Sequence, residues 1–314
     1  MSKVLVTGGA GFVGSNLCRD LLNGGDEVWC LDNFSTGHRE NILPFRSNAK
    51  FHLIEGDVKQ LTDSDLSFRH IYNLACPASP IHYQKDPVGT MMSSVLGTKN
   101  ILELARVTGA RVLQASTSEI YGNPNVSPQP ETYFGNVNPT GLRACYDEGK
   151  RAAETLCFDY RRQHGVDVRV VRIFNTYGPG MAIDDGRAVS NFIVQALCNS
   201  PLIIYGRGAQ TRSFMFVDDL VAGLKLTMSQ EEIDTPINLG NPHEISINQL
   251  ANLVLELLPE SSSDIIHRAS LSDDPIVRKP DINRAMRQLG WLPSVDLRDG
   301  LLMTINYFRR AMKE

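Results

Sequence analysis

The sequence predicts an α/β fold in which a doubly wound parallel sheet is joined to a smaller, mostly C-terminal α/β lobe. Short apolar segments alternate with longer helical patterns through the first half of the chain, and this alternation stops near residue 175. Compact apolar segments are typical of strands buried on both faces, as in a parallel sheet covered by its crossover helices. A chain of 314 residues is also long for one compact core, which favours two lobes or one large α/β unit.

The predicted elements of the first half follow one another in βαβ order. Strands are predicted at residues 4–7, 27–32, 50–55, 70–75, 111–116 and 167–174, and helices at residues 14–23, 95–108 and 146–164. Parallel strands need crossover connections, which are usually helices. The order therefore favours a doubly wound sheet.

The second half is less regular. Turn-rich segments at residues 177–180 and 205–208 alternate with predicted helices at 190–199 and 247–258. We therefore expect a first domain over residues 1–174, rejoined by about residues 214–239, and a second lobe mainly over residues 175–314. Residues 123–139 contain four prolines and predict an ordered surface loop.

Composition excludes several classes of function. With 31 Lys and Arg against 35 Asp and Glu, the chain has no basic surplus for a nucleic acid. No apolar run approaches the ~20 residues that span a bilayer, and the N-terminus enters a glycine loop without a signal peptide. Scattered cysteines and histidines lack metal-ligand spacing, so we expect no metal site and a reducing, cytoplasmic location.

A glycine-rich loop follows the first predicted strand and opens the first helix. Its sequence is TGGAGFVG over residues 7–14, and Asp32 ends the second strand eighteen residues after Gly14. Such glycines let a pyrophosphate approach the backbone at a helix N-terminus, although an ordinary strand–helix turn can share the pattern. A carboxylate at position 32 would accept hydrogen bonds from a ribose diol and repel a 2′-phosphate. The pattern predicts a Rossmann domain that prefers NAD to NADP, with Arg39 as the one downstream cation that could reach a phosphate.

Two further groups of polar residues point to chemistry. Tyr146 and Lys150 are four residues apart in a helical pattern and therefore share a face. A nearby ammonium favours a phenolate, so Tyr146 can serve as a general base. Thr117 and Glu119 follow the apolar strand and point to one side if the chain stays extended. Alone, each group could be an exposed pair or a polar strand end, but they follow the glycine loop in this order.

Several stretches of the sequence carry a family resemblance: ACPASP and HYQ at residues 75–80 and 82–84, STSEIYG at 116–122, RIFNTYGP and DGRAVSNF at 172–179 and 185–192, and QTR and DDPIVRKPD at 210–212 and 273–281. With these stretches, and over nearly its full length, the chain resembles the extended short-chain dehydrogenase/reductases that act on nucleotide sugars. Within that family it resembles the UDP-glucuronate decarboxylases.

The resemblance implies conversion of UDP-glucuronate to UDP-xylose. NAD oxidises the sugar at C4, carbon dioxide is lost, and the bound NADH reduces the 4-keto sugar. A ketone at C4 makes the C6 acid a β-keto acid, whose decarboxylation leaves an enolate that must be stabilised.

The resemblance also implies roles for individual residues. Tyr146 takes the proton of the C4 hydroxyl, Lys150 lowers the pKa of Tyr146 and binds the nicotinamide ribose, and Thr117 binds the C4 oxygen. Glu119 and Arg212 form a distinctive pair near C5 and C6. The cofactor would be held by Gly8, Gly11, Phe12, Val13, Gly14, Asp32, Asn33, Phe34, Gly37, Asp57, Val58, Leu74, Ala75, Pro77, Tyr146, Lys150 and Arg187. The UDP-sugar would be held by Ser79, Glu119, Asn175, Asn191, Tyr205, Gln210, Arg212 and Arg278.

Four positions bear on the type of reaction. Simple 4-epimerases of the family usually carry a small or apolar residue where Glu119 stands, and 4,6-dehydratases carry an aspartate where Ser118 stands. The chain departs from the decarboxylases at Met92 and Ser94, where they typically have lysine and asparagine, which would alter the substrate or reduce activity.

Alternatives stay open at this point. The chain could be an NAD-dependent 4-epimerase of a UDP-uronic acid or UDP-hexose, or a non-catalytic NAD-binding regulator. The resemblance further implies a homodimer through a four-helix interface built from the helices around residues 95–108 and 146–164, although the same apolar faces could pack on the sheet.

Overall fold

A seven-stranded parallel sheet forms the centre of the molecule. The computed structural model describes residues 2–61, 67–269 and 278–313. Its strands are β1 Lys3–Thr7, β2 Glu27–Asp32, β3 Phe51–Glu55, β4 His70–Asn73, β5 Arg111–Thr117, β6 Val168–Ile173, β7 Thr176–Tyr177, β8 Leu202–Tyr205, β9 Thr211–Ser213, β10 Met215–Phe216, β11 Ile237–Leu239, β12 Glu244–Ser246 and β13 Ile265–Arg268. The central sheet has the order β11-β6-β5-β4-β1-β2-β3, and each of its pairings is parallel. The predicted doubly wound fold is confirmed, and the six predicted strands lie within two residues of the observed ones.

Helices cover both faces of this sheet. They are α1 Phe12–Asn23, α2 Pro80–Tyr83, α3 Pro87–Met92, α4 Thr98–Thr108, α5 Ala144–His164, α6 Ala188–Leu197, α7 Val217–Ser229, α8 Ile247–Leu257, α9 Asn283–Leu289 and α10 Leu297–Ala311. Successive side chains of a strand point to opposite faces. In β1, Val4 therefore packs in the core that contains α1 and α7, while Leu5 packs in the core that contains α4 and α5. Among the described residues, none of the helices is both long and apolar enough to cross a bilayer.

Smaller two-stranded units lie after β6. β13 pairs with β8 in parallel, β12 pairs with β9 antiparallel, and β10 pairs with β7 in parallel. Between β10 and β12 the chain returns through α7 to the central sheet, where β11 pairs with β6. The boundary that we place between the two lobes stays a prediction.

The predicted helix at residues 95–108 is part of a longer helical run. The run begins at Pro87, where the Asp86 side chain caps the helix by accepting from the Gly89 amide at 2.9 Å. It passes through a π-helical segment, Ser93–Gly97, before α4. Small and polar residues in the first two turns of the run interrupt the apolar periodicity. The sequence pattern therefore predicted only the second part of the run, residues 95–108. Wide π turns of this kind are frequent near functional sites.

Part of the proline-containing loop lies inside the molecule. Gln129 and Glu131 are 0% and 9% exposed, so the prediction of a surface loop was wrong for these two residues. The Glu131 carboxylate accepts from the backbone amide of Asn238 in β11 at 3.0 Å, and the Glu131 backbone carbonyl accepts from the Arg172 guanidinium at 2.9 Å. The loop therefore packs against the carboxyl ends of β6 and β11.

A buried ion pair joins α5 to the sheet, and we expect its loss to destabilise the fold. Arg172 of β6 contacts Glu154 of α5 at 2.8 and 3.0 Å, and both side chains are at most 10% exposed. Glu154→Gln leaves the guanidinium without its counter-charge, and we expect a loss of about 3–5 kcal/mol in the free energy of unfolding. Chemical denaturation measures this loss.

The matched control lies five residues along the same helix. Asp159→Asn breaks the exposed pair with Arg162, which we expect to change the free energy by less than about 1 kcal/mol. Equal small losses in the two variants would contradict the structural role of the Arg172–Glu154 pair.

Candidate active site

The glycine loop lies at the carboxyl ends of β1 and β4, where the strand order reverses. In open α/β sheets, ligands bind in the crevice at this point. Gly8 has a φ of +68°, and a Cβ at this position would lie 3.0 Å from the backbone of Ala75. A Cβ on Gly14 would lie 2.1 Å from the Gly8 carbonyl oxygen. The close packing leaves the N-terminus of α1 uncovered, and its N-cap Gly11 offers no side chain to the free amides.

Asp32 lies at the end of β2, beside this loop. It is 6% exposed, and its carboxylate accepts from the amides of Ala10 at 2.9 Å and Phe34 at 2.8 Å. Burial raises the pKa of Asp32 above its usual range, although these backbone donors oppose the rise. Arg39, the cation considered for a 2′-phosphate, contacts Glu55 at 2.7 Å and lies 4.1 Å above the Phe34 ring.

Most residues predicted to bind the cofactor line one cleft here. Phe34 is an exception, since its ring lies under Arg39 and does not line the cleft. Tyr146 and Lys150 line the adjoining cavity. The predicted residues that line the cleft are Gly8, Gly11, Phe12, Val13, Gly14, Asp32, Asn33, Gly37, Asp57, Val58, Leu74, Ala75, Pro77 and Arg187.

A second cavity of about 620 Å³ continues from this cleft, with Val13, Cys76 and Arg187 on the wall of both. It holds all five predicted catalytic residues: Thr117, Glu119, Tyr146, Lys150 and Arg212. It also holds seven of the eight predicted substrate residues: Glu119, Asn175, Asn191, Tyr205, Gln210, Arg212 and Arg278. The eighth, Ser79, lines the cofactor cleft, because its hydroxyl donates to the Asp185 carbonyl at 2.5 Å. Residues 273–277, at the start of the matching stretch DDPIVRKPD, lie outside the described residues.

Tyr146 and Lys150 lie on α5 and face the end of β5. The Lys150 ammonium donates to the Ala115 carbonyl at 2.9 Å and lies 5.8 Å from the centre of the Tyr146 ring. Burial and the nearby Cys76 raise the pKa of Tyr146, while a hydrogen bond with Thr117 lowers it. The lowering of the Tyr146 pKa that is expected from Lys150 stays a prediction.

Glu119 is held by arginines that the sequence did not pair with it. Its carboxylate accepts from Arg143, and from Arg278 at 3.1 Å. Burial alone would raise the pKa of Glu119, but the charges of Arg278 and Arg143 bring it below its usual range. The predicted Glu119–Arg212 pair was therefore incomplete: Arg212 acts on Glu119 through its charge, while Arg143 and Arg278 make the hydrogen bonds.

Arg143, Tyr83 and Asp147 were missed by sequence reasoning. Tyr83 is 1% exposed, lines the cavity, and stacks on Tyr146 with ring centres 5.1 Å apart. Among the described residues, the Tyr83 hydroxyl has no hydrogen-bond partner, and neither does Oδ1 of Asp147. Arg143 and Asp147 flank Tyr146 in the sequence, but no residue pattern distinguishes them from ordinary polar residues of a helix start.

Met92 and Ser94 lie in the helical run that packs against α5. Ser94 is 1% exposed, and its hydroxyl lies 3.3 Å from the Cys76 sulfur. A Cβ on Gly149 would lie 3.2 Å from the Ser94 Cβ, so the π turn packs closely on α5. Neither Met92 nor Ser94 is among the described residues that line the two cavities.

Chemically, the site offers a dinucleotide-sized cleft, a buried tyrosine–lysine pair and a cationic pocket with one carboxylate. Grouped His, Cys, Asp or Glu side chains that could hold a metal ion do not occur within residues 2–61, 67–269 and 278–313. Fold and site together define a Rossmann enzyme with a tyrosine–lysine centre.

Comparison with known proteins gives the family. The model of the NAD dependent epimerase/dehydratase family matches residues 4–240. UDP-glucuronic acid decarboxylase 1 of Arabidopsis thaliana is 52% identical over 99% of this chain and 70% of its own length. UDP-glucose 4-epimerase of Thermotoga maritima, solved with UDP-glucose, superposes with a TM-score of 0.89 at 27% identity and 99% coverage of both chains. UDP-glucuronic acid 4-epimerase of Bacillus cereus, in complex with UDP-glucuronic acid and NAD, superposes with a TM-score of 0.87 at 28% identity, covering 98% of this chain and 99% of that one.

The chain belongs to the NAD dependent epimerase/dehydratase family. Within that family, the relatives that share about half of its residues over nearly its whole length are UDP-glucuronic acid decarboxylases. This agrees with the resemblance carried by the matching stretches of its sequence.

The buried carboxyl group of Asp147 predicts a pH dependence of stability. Burial, together with the negative charge of Glu119, raises the pKa of Asp147 to about 7. Since an aspartate in the unfolded chain titrates near ~3.9, the folded protein binds more protons between these two values, and stability falls as pH rises through about 7. Asp147→Asn removes the titrating group. We therefore expect the variant to gain about 1–3 kcal/mol relative to the natural protein between pH 5 and pH 8.5.

Denaturant titration at the two pH values measures this gain. Glu148→Gln is the control, because Glu148 is partly exposed and paired with Arg151 on the same turn. If the difference in the free energy of unfolding between Asp147→Asn and the natural protein were the same at both pH values, the raised pKa of Asp147 would be refuted.

Proposed function

We propose that this protein is an NAD-dependent UDP-glucuronate decarboxylase that forms UDP-xylose. The observation that carries the proposal is the Glu119 carboxylate bound by Arg143 and Arg278, in the same cavity as Thr117 and Tyr146. The UDP-glucuronic acid decarboxylases at about 50% identity support the same reaction.

The residues of the first cleft fit NAD. The packing of Gly8 and Gly14 leaves space for a pyrophosphate at the N-terminus of α1, and Asp32 can accept from a ribose diol. The Asp32 carboxylate also favours NAD over NADP, because it would repel a 2′-phosphate. When bound, NAD supplies an acceptor for the hydride of C4 and later returns it.

In this proposal Tyr146 accepts the proton of the C4 hydroxyl, and Thr117 hydrogen-bonds the C4 oxygen. Lys150 supplies a cation close to the tyrosine ring, and a hydrogen bond to the Ala115 carbonyl holds this ammonium at the end of β5. The unpartnered hydroxyl of Tyr83 is a further group for the substrate, since a buried polar atom left without a partner is costly.

The arginines suit a carboxylate that leaves as carbon dioxide. Arg278 and Arg143 offer positive charge to the C6 carboxylate and then to the enolate formed when it departs. The enolate takes up a proton from water at C5 before the C4 ketone is reduced. Glu119 orients both guanidinium groups and prevents a fixed excess of positive charge in a buried pocket. Toward the second lobe, Asn175, Asn191, Tyr205, Gln210 and Arg212 line the part of the cavity that suits a uridine diphosphate.

The reaction is tested by incubating the purified protein with UDP-glucuronate and NAD, and identifying products by mass and NMR. We expect loss of carbon dioxide, UDP-xylose, and no net NADH. Unchanged mass with an inverted C4 would assign a 4-epimerase instead, and bound NAD without turnover of any UDP-sugar would assign a regulator.

A tyrosine variant tests the catalytic assignment. Tyr146→Phe removes the general base, and we expect kcat to fall about 10²–10⁴-fold. Tyr160→Phe is the control on the same helix, because its hydroxyl bonds Glu103 at 2.6 Å, away from the cavity. Product formation by Tyr146→Phe at the rate of the natural protein would contradict the role given to this residue.

We also propose that the protein is a cytoplasmic homodimer. Exposed apolar side chains on and before the predicted interface helices support it: Val88, Leu96, Val107 and Leu142 are 71%, 42%, 67% and 72% exposed. Their burial by a second copy would remove this surface from water. The free cysteines of the described chain are consistent with a reducing compartment.

Light scattering tests the assembly. We expect the mass of two chains for the natural protein, and of one chain for the double variant Leu96→Glu, Val107→Glu. Leu292→Glu, at an exposed apolar position elsewhere, is the control and should leave the mass unchanged. A natural protein with the mass of one chain would reject the dimer.

A further inference from the structure

Gln129 is fully buried in the proline-containing loop and contacts the segment that follows Arg278. The backbone amide of Gln129 donates to the Lys279 carbonyl at 2.8 Å, and the side-chain oxygen of Gln129 accepts from the backbone amide of Lys279 at 2.8 Å. The Gln129 carbonyl also accepts from the Asp281 amide at 3.0 Å. Both backbone polar groups of residue 279 are therefore bound by one glutamine.

The glutamine is itself fixed to the central sheet. Asn238, in β11, donates through one side-chain nitrogen to the carbonyls of Gln129 at 2.9 Å and Asp281 at 3.0 Å. The Gln129 side-chain nitrogen donates to the Val126 carbonyl at 2.7 Å. The side-chain amide therefore cannot rotate without losing its bonds to both Val126 and Lys279. The sheet, the loop and the segment after Arg278 are thus one hydrogen-bonded unit.

Arg278 is held at its carbonyl and at its guanidinium. The Ser213 hydroxyl of β9 donates to the Arg278 carbonyl at 3.1 Å. The guanidinium, which is 2% exposed, donates to the Ser118 carbonyl and to Glu119. Arginine has a long side chain with several rotatable bonds, so its head stays on Glu119 only if its backbone is fixed.

We infer that Gln129, together with Ser213, is a positioning residue for Arg278. The inference deepens the proposed decarboxylase function and rests on it for the kinetic measurement. A satisfied buried amide in a loop would explain the burial of Gln129. It would not explain why the side-chain oxygen binds the Lys279 backbone amide, directly after the residue whose guanidinium lies in the cavity.

A double-mutant cycle tests the inference. Gln129→Met keeps the volume of the side chain and removes only its two side-chain hydrogen bonds, to Val126 and Lys279, while the backbone bonds of residue 129 remain. Arg278→Lys removes the fork that reaches Ser118 and Glu119. We expect Gln129→Met to lower kcat on UDP-glucuronate about 10–100-fold, as a small misplacement of a site group does. The double variant should be no slower than Arg278→Lys alone. Additive losses in kcat, or a Gln129→Met variant as fast as the natural protein, would overturn the inference.

Controls separate positioning from general damage. Asn136→Ala alters the same loop but removes only a bond to the Asn123 carbonyl, and it should keep the natural kcat. Thermal melting and NAD content should be similar in all variants that enter the comparison. If Gln129→Met does not fold, Ser213→Ala releases the Arg278 carbonyl from the other side and carries the same cycle.

Calorimetric titration with UDP-glucuronate makes the two proposals separable, because binding does not depend on turnover. A natural protein that binds the sugar but releases no carbon dioxide would refute the proposed function only. In that case, non-additive losses of affinity in Gln129→Met and Arg278→Lys would support the positioning role, and additive losses would overturn it.

Discussion

The arrangement of the site depends on one carboxylate, Glu154, and its bonds to the end of the central sheet. Tyr146, Lys150 and Glu154 follow one another at intervals of four residues and so form a single stripe along α5. At the end of this stripe Glu154 accepts from Ser116 at 2.5 Å and from Arg172. Since Ser116 directly precedes Thr117, the same carboxylate sets the helix that carries the tyrosine against the strand end that carries the threonine.

Around this anchor, the buried polar groups form a continuous network. Arg172 also donates to the Tyr121 hydroxyl at 3.0 Å, and Tyr121 donates to Asn238 at 2.8 Å. Asn238 in turn holds the loop and the segment that carry Gln129 and Arg278. Because a buried donor or acceptor without a partner is costly, these groups specify one arrangement of α5, β5, β6, β11 and the two loops. The tyrosine end and the arginine end of the cavity are therefore parts of one rigid structure.

The sequence was sufficient for the fold and for the parts of the site that follow from local patterns. The glycine loop, Asp32 and the Tyr146–Lys150 spacing depend on residues close in the chain, so their pattern is readable. Arg143 and Arg278 are 24 and 159 residues from Glu119, and no periodicity connects them. The same holds for Gln129, whose burial arises from contacts with a distant segment that the proline-rich composition does not reveal. The Tyr146 pKa also lay beyond prediction, because burial is a property of the folded chain.

The surroundings of Asp32 constrain how this chain could change its cofactor. Its carboxylate serves the protein itself, since the amides of Ala10 and Phe34 both donate to it. Removing the carboxylate to admit a 2′-phosphate would leave both amides without their acceptor. The residue that would repel the phosphate thus also ties the glycine loop to the end of β2. A change of coenzyme preference at this position therefore carries a cost in the stability of the loop, in addition to its effect on binding.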